Sequence, residues 1–280
     1  MTFGEKIKFE RKKRGMTQSQ LAGDTVTRNM ISLIEKDMAN PSLDTLRALA
    51  NKLKLPLSYL VSDAEDTFFY SKEEAFEGIK AAYTAKNYAV TVSRIEKLEK
   101  TDDELSFILA DCHLELGKKA LTNGSLVSCS KHLKSSLEYA DATCYDTKKI
   151  RALSKMYLAV AENIQSPLLE FDIPFYEATL SDSYDLDFFN YLTLNFDYSY
   201  SKEVYSKHLT AKRLIKEKNY AVAIDILVGI EMTRRSGEYN SFVIFGIYSD
   251  LELCYKQLCD FENAYKYSSK RLSLLEAFKS

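Results

Sequence analysis

A chain of 280 residues, 46% of them hydrophobic, is long enough for two domains and apolar enough to give each a core. Nine Gly and four Pro are few for that length, which argues against many tight turns and so against an all-β fold. No run of about 18 apolar residues is present, and the charged start MTFGEKIKFERKKRG lacks the apolar stretch of a secretion signal, so a cytoplasmic protein with no membrane partner is expected.

Charge is unevenly divided. Residues 1–62 hold eleven Lys or Arg against six acids, a net of +5, and since the whole chain is −2 the remainder carries −7. A basic head on an acidic body suggests that the head meets a polyanion. The run ERKKR at 10–14 gathers much of that charge at one helix end.

In chain order, Phe3 to Arg14 reads as a first helix with Phe3, Ile7 and the stem of Arg11 on one face, ended by Gly15. TQSQ at 17–20 is a capping box that opens a short helix through Leu21 and Ala22. Thr27 is placed to cap a third helix, pinned inward by Ile31 and Ile34, which leaves Arg28, Asn29 and Met30 exposed at its start. NPS at 40–42 begins a fourth, with Leu43, Leu46, Leu49, Ala50 and Leu53 as its apolar stripe, and Pro56 begins a fifth, in which Leu57, Leu60 and Val61 close the core.

TQSQLA, TRNMISLIE and NPSLDTLRALANKLKLPLSYL, in that order over residues 3–62, resemble the helix-turn-helix of the Xre/Cro repressor family. The resemblance implies double-stranded DNA as partner, with the third helix in the major groove. Thr27, Arg28, Asn29 and Met30 would then read bases or nearby phosphates, with Ser32 and Lys36 further along. Arg matches guanine O6/N7 and Asn matches adenine N6/N7 through paired hydrogen bonds. Thr17 and Gln18 open the second helix where a phosphate fits, and Asn40 and Ser42 stand where the family makes another backbone contact. Arg11 and Glu35 are placed as a partly buried ion pair across the first and third helices.

Beyond LVSDAEDT at 61–67 the composition shifts, with 18 of 19 Tyr and 13 of 15 Phe lying in residues 63–280. The expected division is a DNA-binding domain over 1–63, a linker over 64–71 and a helical domain over 72–280. KNYAV occurs at 86–90 and again at 218–222, each time followed by a small residue, Thr91 or Ala223. CDFENAYKY at 259–267 repeats the pattern with Ala264, and GSLVSCSKHL does so more weakly with Leu126 and Cys129. This resembles the tetratricopeptide repeat; the 132 residues between the KNYAV copies fit about four units, and five repeats are expected in all. The fold class expected is all-α: a five-helix head followed by a tetratricopeptide-like right-handed α-solenoid.

On a continuous helix through YDLDFFNYLTLNFDYSY, 184–200, Tyr184, Phe188, Tyr191, Asn195 and Tyr198 would share one side, with Phe189, Leu192, Phe196 and Tyr200 beside it. One stripe can pack while the other faces a peptide groove; the competing reading puts both in the core. Asn190 and Asn240 are further candidates to clamp a peptide backbone, since an amide both donates and accepts.

A repressor-type reader joined to such repeats resembles the Rgg/PlcR group of peptide-responsive regulators. That implies a homodimer on a near-palindromic operator, with a short signalling peptide on the repeats controlling how the two heads are held. The alternative is a regulator whose repeats serve only for dimerisation or for docking a protein partner. An enzyme finds little support: there is no Gly-rich phosphate loop and no nucleophile motif, and His113, His132 and His208 have no evident partner. No cofactor and no metal are expected, because Cys112, Cys129, Cys144, Cys254 and Cys259 lack a metal-ligand rhythm and read as small buried hydrophobes.

Overall fold

Four hydroxyls begin the helices of the head. Thr2, Thr17, Thr27 and Ser42 each accept the backbone N–H three residues on, opening α1 (Phe3–Lys13), α2 (Gln18–Ala22), α3 (Arg28–Ile34) and α4 (Leu43–Leu53). Thr2 with Glu5 and Thr17 with Gln20 form complete capping boxes. A short α5 (Leu57–Val61) follows Pro56. The structure, a computed structural model, describes residues 2–61, 64–164, 171–181, 185–233 and 240–277, with backbone only for 64–67.

Ile7, Leu21, Ile31, Ile34, Leu49, Leu53 and Leu60 are fully buried and make one core for the five helices. Of the expected members, Leu46 is only half-buried and outside it, and two more are exposed, Leu43 at 55% and Val61 at 57%. The two exposed ones stand at helix ends, Leu43 in the first position of α4 and Val61 in the last of α5. The chain's compact units are Met1–Thr84 with Arg94–Lys100, and Ala85–Ser93 with Thr101–Ser280. The linker expected over 64–71 is instead the start of a long helix, α6 (Ala64–Thr84), which groups with the head. Acidic residues are favoured near the positive end of a helix dipole, so the composition read as a linker suits a helix start equally.

The seven-residue α3 is too short to be stable alone and is moored at its C-terminal end. There Glu35 meets Arg11 of α1 through two hydrogen bonds, Nε to Oε1 at 2.5 Å and Nη2 to Oε2 at 3.0 Å. The same carboxylate accepts Gln18 Nε2 of α2 at 2.9 Å, and Arg11 Nη1 reaches Met16 O at 2.8 Å. The side chains are 11% and 3% exposed, so the expected pair exists and is nearly dry. Burial pushes the Glu35 carboxyl up, but hydrogen bonds from Arg11 and Gln18 and the charges of Arg11 and Lys8 outweigh it and hold the group below its ordinary value. Just beyond, Asp37 takes a left-handed conformation, φ 55°, and accepts the Gly4 N–H at 2.8 Å and the Thr2 hydroxyl. At the end of α2, Lys52 Nζ of α4 donates to Ala22 O at 3.1 Å.

The second unit is also all-α among the described residues. It holds most of α7 (Tyr88–Ile95), then α8 (Asp103–Asn123), α9 (Leu126–Asp141), α10 (Lys148–Glu162), α11 (Ile173–Leu180), α12 (Asp185–Leu192), α13 (Glu203–Lys216), α14 (Tyr220–Thr233), α15 (Ser241–Gln257) and α16 (Phe261–Ala277). Its repeated grammar is a backbone event. Gly124, Lys218 and Cys259 all have positive φ, as does Lys86. After α8, α13 and α15 the next N–H closes back on the helix: Ser125 to Ala120 O, Asn219 to Leu214 O and Asp260 to Tyr255 O, at 2.8–2.9 Å. This is the Schellman ending. The small residues that follow, Thr91, Cys129, Ala223 and Ala264, are at most 2% exposed. The fold is thus a helix-turn-helix head followed by helical repeats.

The helix expected over 184–200 stops at Leu192. Leu194 turns left-handed, φ 54°, Asn195 N–H returns to Asn190 O at 2.9 Å, and Asn195 Nδ2 donates to Asn190 Oδ1 at 2.8 Å. Both expected stripes are core where α12 exists: Phe188, Phe189, Tyr191 and Leu192 are 7% exposed or less. Phe188 stacks on Tyr157 and Phe189 on Tyr176, at ring-centre distances of 5.3 and 5.0 Å.

A Cβ on buried Gly4 would lie 2.3 Å from Ile34 O, so α1 and α3 approach to backbone contact there. Gly4→Ala should destabilise the head by about 1–3 kcal/mol, read as a lower denaturation midpoint. Glu35→Ala strands the Arg11 charge and should cost about 3 kcal/mol, seen in thermal unfolding of the head. Because Glu35 is held below 4.5 when folded, its contribution is whole above that pH and is lost as pH falls through the lower folded value. The wild-type and Glu35→Ala melting points should therefore converge in acid, and a constant gap between them down to pH 3 would contradict this.

Candidate nucleic-acid interface and body cavity

With Ile31 and Ile34 buried, α3 turns its first residues outward: Thr27, Arg28 and Asn29 are exposed and Met30 is 40% exposed. The Thr27 hydroxyl accepts Met30 N–H at 3.2 Å, so one candidate contact residue also caps the helix. Neither the Arg28 nor the Asn29 side chain bonds any other described residue. Their donors and acceptors therefore remain available. Ser32 is half-buried, and Lys36 and Asn40 are exposed. Ser42 is exposed, but its hydroxyl caps α4 and meets the Thr45 hydroxyl at 3.0 Å. Thr17 is exposed and occupied with its capping box, while the Gln18 amide is committed to Glu35.

The charge on the head is distributed otherwise than ERKKR suggests. Arg11 belongs to the buried pair, Arg14 bonds the Glu10 carboxylate, and Lys13 lies 3.8 Å from Glu74. Lys12, Arg28, Lys36, Arg47 and Lys54 have no acidic partner among the described residues, and Lys8 acts on Glu35 only through its charge, without an ion-pair contact. The positive balance of the head thus comes from scattered exposed cations more than from one cluster. Lys6, unremarked in the sequence, is fully buried and donates to Tyr59 O at 3.3 Å, while the Tyr59 hydroxyl donates to Glu10 at 3.0 Å.

In the second unit a cavity of about 500 Å³ opens among α8, α10, α12 and α13. Asp185 is its central acid: Tyr157 donates to it at 2.7 Å and Lys118 Nζ lies 3.0 Å away. Lys118 also bonds Glu115 at 3.0 Å. Burial works against the Lys118 ammonium, but Asp185 and Glu115 outweigh it and raise its pKa above the ordinary value. Of the expected peptide contacts, Phe188 and Asn240 line this cavity. Asn240 Oδ1 caps α15 by accepting the Val243 N–H at 3.1 Å. Tyr191 borders a separate cavity of about 220 Å³ and bonds buried His208 at 2.8 Å. Asn190 and Asn195 are occupied with each other, so they seal a turn instead of clamping a backbone. Tyr198 is half-buried against Tyr200, and Tyr184 lies outside the described residues.

The histidines do have partners. His113 and His132 meet Nδ1 to Nδ1 at 2.9 Å, and burial with the charges of His132 and Lys131 lowers His113 to about 4. His208 Nε2 meets Asp250 at 2.9 Å, and burial lowers its pKa. Cys112, Cys129 and Cys254 are buried as expected, but Cys144 and Cys259 are exposed. Cys259 sits at the left-handed turn after α15, where the backbone holds it out of the core. No helix among the described residues is long and apolar enough to cross a membrane.

Comparison with known proteins places these features. The helix-turn-helix family model matches residues 7–60, the span of the five-helix head. The immunity repressor protein of Bacillus phage phi105 is 39% identical over 111 residues, which are 38% of this chain and 71% of the phage protein. Among solved structures, Bacillus thuringiensis PlcR in complex with the peptide PapR7 and DNA aligns over 99% of this chain and 96% of its own, at 21% identity and a TM-score of 0.25. The Streptococcus dysgalactiae SHP pheromone receptor Rgg2 aligns over 97% and 99%, at 15% identity and a TM-score of 0.21. Given the match to the phage repressor over most of that protein's length, and a head built to hold out the leading edge of α3, this chain belongs to the Xre-type helix-turn-helix family of DNA-binding regulators.

Proposed function

We propose that the chain is a cytoplasmic transcriptional regulator that acts as a homodimer, reads an operator with α3, and is switched by a short peptide bound to its helical repeats. The observation that carries the DNA part is the pair Arg28 and Asn29, exposed and without internal bonds on a helix moored by Glu35 and Asp37. Arg28 suits guanine and Asn29 adenine, and the exposed Met30 offers an apolar surface to a thymine methyl. Two copies would set two reading helices about 34 Å apart, one turn of the duplex.

The peptide part is supported by the cavity around Asp185, whose size suits several side chains and whose lining mixes aromatic rings with amide and charged groups. For a peptide to switch the protein it must bind the DNA-competent and incompetent arrangements with different affinity. Dimer geometry is the quantity that such a difference would adjust.

Arg28→Ala should lower affinity for the selected operator by about 1–3 kcal/mol and relax preference at one base position, measured by labelled-duplex anisotropy on operator and random DNA. Equal loss on both would make Arg28 a phosphate contact. Wild-type affinity should fall steeply with salt as counterions are released, and a flat response between 50 and 200 mM would exclude groove binding. Titrating short synthetic peptides at fixed salt should shift operator affinity; dimerisation without any such shift would favour repeats that serve for assembly alone.

A further inference from the structure

The second unit belongs to the acidic part of the chain, yet its cavity is rich in cations. Lys86, Lys118, Lys119 and Lys202 line it against two acids, Glu115 and Asp185. Both acids lie on the one lysine, Lys118. Asp185 is further satisfied by the Tyr157 hydroxyl. Lys86, Lys119 and Lys202 have no carboxylate partner among the described residues, and all three are exposed. Lys202 stands over the Tyr205 ring, 5.8 Å from its centre, and Lys118 over Tyr157 at 5.7 Å. The cations thus border aromatic faces.

We propose that this cavity is a carboxylate-selecting site: it takes a ligand carboxylate on Lys119, Lys202 and Lys86, with an apolar group next to it against Tyr205 and Phe188. A cleft whose charge opposes that of the surrounding body focuses potential at its mouth, so an anion is drawn there and repelled elsewhere. Lysine ammonium groups without internal partners are free to form charge-assisted hydrogen bonds. Lys118 has a different part. It is saturated by Glu115 and Asp185 and serves to keep the Asp185 charge from repelling the incoming anion. The proposal rests on the peptide reading above and narrows it, since either an acidic side chain or a free C-terminus could supply the carboxylate.

The test uses the full chain and three matched sets of dye-labelled heptapeptides, read by anisotropy. One set carries an acidic residue and an amidated C-terminus, one has a free C-terminus and no acidic residue, and one is neutral and amidated. Either carboxylate-bearing set should bind about tenfold or more tightly than the neutral set, the scale of one charge-assisted hydrogen bond; which set binds identifies the source. Lys119→Ala with Lys202→Ala should remove that advantage while leaving the melting point unchanged, since neither lysine holds a buried acid. Neutral peptides binding as tightly as acidic ones, or a double variant that keeps the preference, would overturn the proposal. If no set binds, the peptide reading fails, and phenylpropionate decides the site alone. A rise in melting point that the double variant loses sustains a carboxylate site, and no rise ends it.

Discussion

A helix of seven residues cannot hold its own direction in water, so whatever α3 does depends on what fixes it from outside. Two buried isoleucines set its depth but leave rotation and tilt open. The Arg11–Glu35 contact removes those freedoms, because a planar guanidinium engages a carboxylate in two parallel bonds and so resists turning about either. Gln18 adds a third bond from α2, so three helices converge on one carboxylate. A pair of hydrophobic residues in that place could be as stable, but it would not define an angle. Two residues further on, Asp37 stitches the chain after α3 to the first turn of α1.

The second unit solves a different problem, how to stack many helix pairs with few glycines. Its turns use left-handed residues that are lysine or cysteine more often than glycine, each non-glycine one at a conformational cost of about 1 kcal/mol. The cost is offset by closing two orphan carbonyls and by a small residue one turn on, which lets the next helix approach closely. Gly117 shows how tight that approach is on α8: a Cβ there would lie 2.7 Å from Leu133 of α9.

Much of the head was legible because its punctuation is local. Hydroxyl caps, a capping box and apolar spacing act within four residues, and Thr17, Thr27 and Ser42 stand where the sequence places them. The Arg11–Glu35 pair spans 24 positions and came from family resemblance, with no spacing rule to find it. Lys6, Asp37 and Lys52 were invisible for the same reason: each bonds a backbone or side-chain group brought near only by the fold. In the repeats, KNYAV marked the turns correctly because a left-handed ending is a local event. The aromatic run at 184–200 misled because periodicity cannot see Leu194 break the helix, nor tell two buried stripes from one. The cavity was half visible, in Phe188 and Asn240, while its lysines and Asp185 converge from separate helices without a shared motif.

One feature of α3 reaches beyond a single operator. Apart from the Thr27 cap, the side chains at its leading edge take no part in holding the head together, whereas Glu35, about two turns behind Arg28, ties α3 to α1 and α2. On the proposed reading of DNA by α3, sequence preference could therefore change at Arg28 and Asn29 with little effect on folding. Sibling regulators that diverge in which promoter they occupy can share one unaltered scaffold, and new specificities can be grafted onto it by exchanging two residues.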